Sequence, residues 1–180
     1  MSAPGLLFVL GASAAGKTTA VQGLAACQLA GVRCHHFDSV GVPSATEMRR
    51  THGSVENWQG VTTRRWVERL SEDPEGAEVY VLEGQTRPSF VLPALEAMGV
   101  RVAEIVLLDC TPEVRRARLM DSRLQPELAT EQMDKWAAYL RGQADALGLQ
   151  VIDTSDIDTT TAVNRLIAVV ETLRARCAAA

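Results

Sequence analysis

The chain has 180 residues, 47% of them apolar, with 22 acidic against 18 basic side chains and a formal net charge of −4. That size and apolar fraction suit one compact domain on a single hydrophobic core, and a net negative chain is not built for general nucleic-acid binding, which needs an extensive basic surface. No apolar run reaches membrane-spanning length, and Cys27, Cys34, Cys110 and Cys177 lie far apart without a Cys-x-x-Cys pair, so reduced structural thiols are expected.

The first element is the run Leu6-Leu7-Phe8-Val9-Leu10, too short and continuous for an amphipathic helix and predicted as a buried strand. It is brief, has no basic residue before it and leads straight into a polar loop, so no signal peptide is expected. That loop reads Gly11-Ala12-Ser13-Ala14-Ala15-Gly16-Lys17-Thr18, with Thr19 following: the spacing Gly-x-x-x-x-Gly-Lys-Thr that cradles phosphates. Glycines let the backbone turn so that successive N–H groups and the positive end of the next helix face phosphate oxygens, while Lys17 reaches the β and γ phosphates and Thr18 ligates Mg²⁺. A nucleoside triphosphate with Mg²⁺ is the expected ligand. A glycine-rich turn with no ligand would leave Lys17 and Thr18 unexplained. A helix is predicted over 19–29, from the spacing of Ala20, Val21, Leu24, Ala25 and Leu29, with Gly31 marking its end.

Further strands are predicted over 32–37, 78–82, 102–108 and 150–152. His35 and His36 are adjacent and His52 is remote, so no zinc-ligand spacing emerges. Strands alternating with helices imply an α/β fold with a five-stranded parallel sheet flanked by helices, its site built from residues just after each strand. Those residues are Gly11 to Thr18, Asp38-Ser39, Glu83-Gly84-Gln85, Asp109 and Asp153-Thr154-Ser155. Between Asp38 and Glu78 the connection exceeds a minimal crossover, and Met48, Trp58, Trp66 and Leu70 can pack helices; residues 38–76 are expected to form a helical acceptor-binding insert.

Thr111-Pro112 sets a capping hydroxyl before a proline, opening a helix that carries Arg115, Arg116 and Arg118. Residues 121–130, with Arg123 and Pro126, read as a short lid. Thr130 caps a helix over 131–147 that Gly148 ends, and 159–177 reads as a closing helix. Trp58, Trp66, Trp136 and Tyr139 suit core packing or an aromatic wall against a substrate ring.

Taken together these residues resemble the nucleoside monophosphate kinase-like group of P-loop small-molecule kinases, which includes adenylate, shikimate and gluconate kinases. The likeness spans nearly the whole chain. Beyond the phosphate loop, Val81-Leu82-Glu83-Gly84-Gln85-Thr86-Arg87 looks like the adenylate-kinase pattern Leu-Asp-Gly-Phe-Pro-Arg. On that match Glu83 stands near magnesium, and Arg87 holds a phosphate of the acceptor, with Gln85 beside it. Arg118-Leu119-Met120-Asp121-Ser122-Arg123 is similar to the segment entering the family's lid, which implies that Arg118 stacks on the adenine and Arg123 contacts phosphates. Residues 151–155 resemble the family's base-contacting loop and bring in Thr154. The resemblance to shikimate kinase implies that Asp38 orients or deprotonates an acceptor hydroxyl. Departures are Gln85-Thr86 in place of Phe-Pro, Glu83 in place of Asp and a lid too short for a metal-binding insert.

The expected function is therefore ATP-dependent phosphoryl transfer to a small acceptor: a metabolite hydroxyl, a nucleoside or a nucleoside monophosphate. Lys17, Asp38 and Arg123 are the expected catalytic groups, Thr18 and Glu83 the magnesium ligands, and Arg141 a helper over the phosphates. An antibiotic-modifying kinase is a branch of this reading. A P-loop ATPase or nucleotide switch acting on a protein partner is the different one; the short lid and the acceptor-sized insert weigh against it. A cytoplasmic protein, monomer or homodimer, is expected.

Overall fold

The computed structural model describes residues 3–72 and 75–179. Strands β1 (Gly5–Leu10), β2 (Val32–His36), β3 (Val79–Gly84), β4 (Ala103–Asp109) and β5 (Gln150–Asp153) form one parallel sheet in the order β2-β3-β1-β4-β5. β1 and β3 are buried along their whole lengths, as strands covered on both faces must be. Because side chains alternate across a strand, Leu6, Phe8 and Leu10 join one core while Leu7 and Val9 join another.

The helices are α1 (Lys17–Ala26), α2 (Ala45–His52), α3 (Val55–Ser71), α4 (Pro88–Ala97), α5 (Pro112–Ala117), α6 (Glu131–Leu147) and α7 (Thr159–Ala178). The first crossover runs from β1 toward one edge of the sheet, and the next three run toward the other. Right-handed crossovers then require opposite faces. Trp66, Val67 and Leu70 of α3, Val91 and Leu95 of α4, and Leu140 and Ala144 of α6 pack on one face. Val21 and Leu24 of α1 and Leu166, Val170 and Leu173 of α7 pack on the other. The architecture is the three-layer P-loop α/β fold, and all five strand ends that the sequence marks as site loops emerge along one edge. No helix among the described residues is long and apolar enough to cross a membrane.

Local chemistry explains the boundaries. Thr111 and Thr130 accept hydrogen bonds from the N–H groups of Val114 and Met133, and Gly148, at φ 63°, closes α6. Ser44 and Ser54 cap α2 and α3 in the same way, and Gly53, at φ 79°, separates them. Met48 is the one buried residue of α2. The first helix departs from its predicted span: Gly16 is its N-cap, so it starts at Lys17, and it ends at Ala26, before Gln28 turns left-handed at φ 50°. Gly31 instead leads into β2, its carbonyl accepting from the N–H groups of Glu78 and Val79 at 2.8 and 3.1 Å. A single wide turn over Arg118–Ser122 leads into the segment expected as a lid, which holds a 3-10 turn over Pro126–Leu128. The cysteines are all free thiols, Cys110 and Cys177 buried.

Two glycines test this packing in opposite directions. A Cβ at Gly84 would lie 2.3 Å from Cβ of the buried Phe37, so Gly84→Ala is expected to cost about 3 kcal/mol through overpacking. Gly142, inside α6, has nothing within 4 Å of a built Cβ, so Gly142→Ala is expected to gain about 1 kcal/mol of helix propensity. Thermal unfolding should show the midpoint falling in the first variant and rising by roughly 2–4 °C in the second.

Candidate functional site

The turn from β1 into α1 is shaped by backbone demands. Gly11 adopts φ +153°, and a Cβ there would sit 2.3 Å from the Leu108 carbonyl oxygen. Only glycine lets β1 leave the sheet so close to β4. Ala14 takes a left-handed φ of 62°, a strained choice for a residue with a Cβ, of the kind that concentrates at ligand sites. Gly16 has φ 90° and gives α1 no side-chain cap, and the first turn of α1 holds no acidic residue. The amides that open α1 therefore lack both a capping oxygen and a carboxylate of their own helix, which is the arrangement that receives an anion.

Lys17 lies at this point with 6% of its surface exposed, and its ammonium donates to the Ala12 carbonyl at 2.9 Å. Burial pushes its pKa down to about 8; Glu83 and Asp38 pull against that shift, while Arg123 adds to it. Thr18 Oγ1 donates to Glu83 Oε1 at 3.2 Å, and His36 Nδ1 lies 2.7 Å from the same oxygen. Asp38 sits on a 3-10 turn at Phe37–Val40; partial burial and the neighbouring Glu83 carboxylate raise its pKa, against the pull of Lys17. Lys17, Thr18, Asp38 and Glu83 thus form one electrostatic cluster across the ends of β1, β2 and β3.

Beside the loop, a cavity of about 410 Å³ is lined by Lys17, Thr18, Thr19, Arg118, Arg123 and Thr154, among others. Arg118 does not project freely into it. Its guanidinium donates to the Ala14 carbonyl at 3.2 Å, to Thr154 Oγ1 at 2.9 Å and to the Thr154 carbonyl at 2.6 Å. Thr154 Oγ1 lies 3.0 Å from the Ala15 carbonyl and 3.1 Å from that of Asp109, tying the ends of β1, β4 and β5 together. Ser13 accepts from Gln85 Nε2 at 2.8 Å, linking the loop to the end of β3.

Two arginines have their charges occupied elsewhere. Arg87 Nε donates to Gln59 Oε1 at 3.1 Å and its Nη1 pairs with Glu56. Arg141 pairs with Asp145 at 2.9 Å and stands 3.7 Å from Asp109 at the end of β4. A third, Arg115, was readable only as one of several helix arginines and is the most buried of them at 2% exposure. Its Nη2 bonds Asp109 at 3.0 Å and the Cys110 carbonyl at 2.9 Å, and its Nη1 reaches Asp134 at 3.3 Å. His36 was also missed. Its signal was the register of the sheet, which pairs His36 with Glu83 on neighbouring strands.

No protein-family model matches the chain, and no curated protein matches it in sequence. Solved structures match it in fold over nearly its whole length. The tunicamycin resistance protein of Deinococcus radiodurans aligns with a TM-score of 0.65 at 16% identity, covering 93% of this chain and 95% of that one. A gluconokinase from Sinorhizobium meliloti gives 0.60 at 16% identity over 98% and 94%. The shikimate kinase of Acinetobacter baumannii, solved with shikimate, gives 0.56 at 16% identity over 94% of each chain. The fold is therefore that of the nucleoside monophosphate kinase-like P-loop kinases.

Arg115 ties the end of β4 to α6, and its removal is expected to show as lost stability. Breaking a fully buried pair costs about 3–5 kcal/mol; Asp109 and Asp134 keep 17% and 32% exposure, so Arg115→Met should cost about 2 kcal/mol. Denaturant unfolding checks this, and an unchanged midpoint would refute that role.

Proposed function

We propose that this protein is an ATP-dependent kinase that moves the γ-phosphoryl group to a small-molecule acceptor. The observation that carries the proposal is the buried Lys17 ammonium at the uncapped start of α1, faced by Glu83 and Asp38. A buried cation beside unengaged helix amides is a site for an anion with several negative oxygens, which a triphosphate supplies.

The residues also fit a magnesium ion. Thr18 Oγ1 and the Glu83 carboxylate are adjacent hard oxygen donors, and no group of three or more His, Cys, Asp or Glu among the described residues suits a different metal. Thr18 and Glu83 would hold Mg²⁺ directly or through water, with phosphate oxygens and waters completing its shell. The ion supplies neutralisation of charge on the transferring group.

The chain's own residues do the rest by position and charge. Lys17 and Arg123 face the phosphates, and the backbone from Gly11 to Gly16 orients them. Arg118 and Thr154 form a fixed wall for the base end of the cavity. Asp38, on the acceptor side, orients the incoming group and takes a proton where that group is a hydroxyl. His36 buttresses Glu83 from the neighbouring strand. The similarity to a tunicamycin resistance protein adds antibiotic hydroxyls to the acceptors worth assaying.

Lys17→Ala is expected to lower transfer about 10²–10³-fold while leaving the folded state intact, as read by product mass and circular dichroism. Consistent absence of any phosphorylated product across nucleotides, sugars and antibiotics would sink the kinase reading. Asp38→Asn should lower the rate about 10²–10⁴-fold. Asp38 accepts a proton only when ionised and its pKa is raised, so wild-type rate should fall as pH drops through that raised value. A pH–rate profile in which Asp38→Asn retains the same acid limb would remove Asp38 from that role.

A further inference from the structure

Arg87 is the residue that the resemblance sets against a phosphate on the acceptor, and its surroundings argue against that task. Its guanidinium carbon lies 5.1 Å from the Phe90 ring centroid, 5.2 Å from Trp136 and 5.5 Å from Tyr139. Trp136 and Tyr139 are themselves stacked, with centroids 5.6 Å apart. Glu56 neutralises the charge and Gln59 accepts from Nε, leaving the side chain 20% exposed. Three aromatic rings, a carboxylate and an amide from α3, α4 and α6 thus hold one cation, a set of partners that rivals what an exposed phosphate could offer.

On the acceptor side of Lys17 the charged groups are carboxylates. Asp38 and Glu83 stand in front of the loop, and Gln85, Ser13 and Gln59 beside them are neutral and bonded to one another or to the backbone. A dianionic acceptor phosphate placed there would add its charge beside two carboxylates that already offset Lys17, while the arginine that follows β3 is held by Glu56 and three rings. Arg65 and Arg69 lie on another side of α3, lining a separate cavity of about 440 Å³ with Val40, Pro43, Trp58 and Trp66, whereas Gln59 and Thr63 face Gln85 and Thr86. That cavity starts two residues past Asp38 and is walled by two indoles, so it suits the apolar or ring-bearing body of an acceptor.

We propose, resting on the kinase reading, that the acceptor oxygen belongs to a hydroxyl and not to a phosphate, and that Arg87 is an internal clamp joining α3 to α6. In the step this implies, the acceptor hydroxyl oxygen forms a bond to the γ-phosphorus as its proton passes to Asp38. The bond from that phosphorus to the β–γ bridging oxygen breaks, and its electron pair leaves with ADP.

The test is a titration of the whole protein with AMP and with inorganic phosphate, following Trp136 fluorescence as the difference between wild type and Trp136→Phe. A nonhydrolysable ATP analogue is titrated separately, and its failure to bind would remove the kinase reading itself. With the analogue bound, AMP and phosphate at millimolar concentration should leave the Trp136 signal unmoved, and AMP, CMP, UMP and dTMP should yield no diphosphate. Arg87→Gln should lower the thermal midpoint by roughly 4 °C, the size expected for a partly desolvated cation–π cluster. A saturable change at Trp136 on adding AMP, abolished in Arg87→Lys, would overturn the proposal. So would formation of a diphosphate from any of the four monophosphates.

Discussion

A buried ammonium requires compensation, and Lys17 sets that requirement for the whole molecule. Taking its charge out of water is unfavourable enough to push its pKa down to about 8. Negative charge must therefore be delivered to the end of β1 from elsewhere in the chain. β3 delivers Glu83 and β2 delivers Asp38, which is possible only because both strands run parallel to β1 and end level with it. The sheet order, the close approach at Gly11 and the seat of Phe37 against Gly84 all serve that delivery.

The same constraint divides the site into two halves with different electrostatics. On the side proposed for the phosphoryl donor, the cations Lys17, Arg118 and Arg123 gather around amides that lack capping partners. On the acceptor side, carboxylates and neutral amides predominate, and the one arginine at the end of β3 is absorbed into an aromatic cluster. Such a division lets one cleft distinguish a polyanion from a much less charged partner.

Much of this was legible in the sequence because it is local. The phosphate loop is contiguous, each strand is a short apolar run, and Thr111, Thr130 and Gly148 carry their capping chemistry within a few residues. The start of α1 was misplaced by two residues because Gly16 serves both as the last loop residue and as the N-cap. Long-range contacts were invisible for a physical reason. His36 beside Glu83, Arg115 between Asp109 and Asp134, and Arg87 against Trp136 each depend on strand register or helix rotation that no local pattern encodes. Resemblance placed Arg87 by its position after β3, and the rings that surround it come from 3 to 52 residues further along.

α2 is attached differently from every other long helix. It reaches the interior through Met48 alone, between a serine cap and a left-handed glycine. Its remaining residues can vary without reopening either core, while they line the cavity beside Asp38 through Glu47, Thr51 and His52. Under the proposed function, the part of the protein that would meet the acceptor is thus the part whose sequence is easiest to change. A lineage could exchange one acceptor for another by rewriting this helix, and keep its sheet, its loop and its nucleotide.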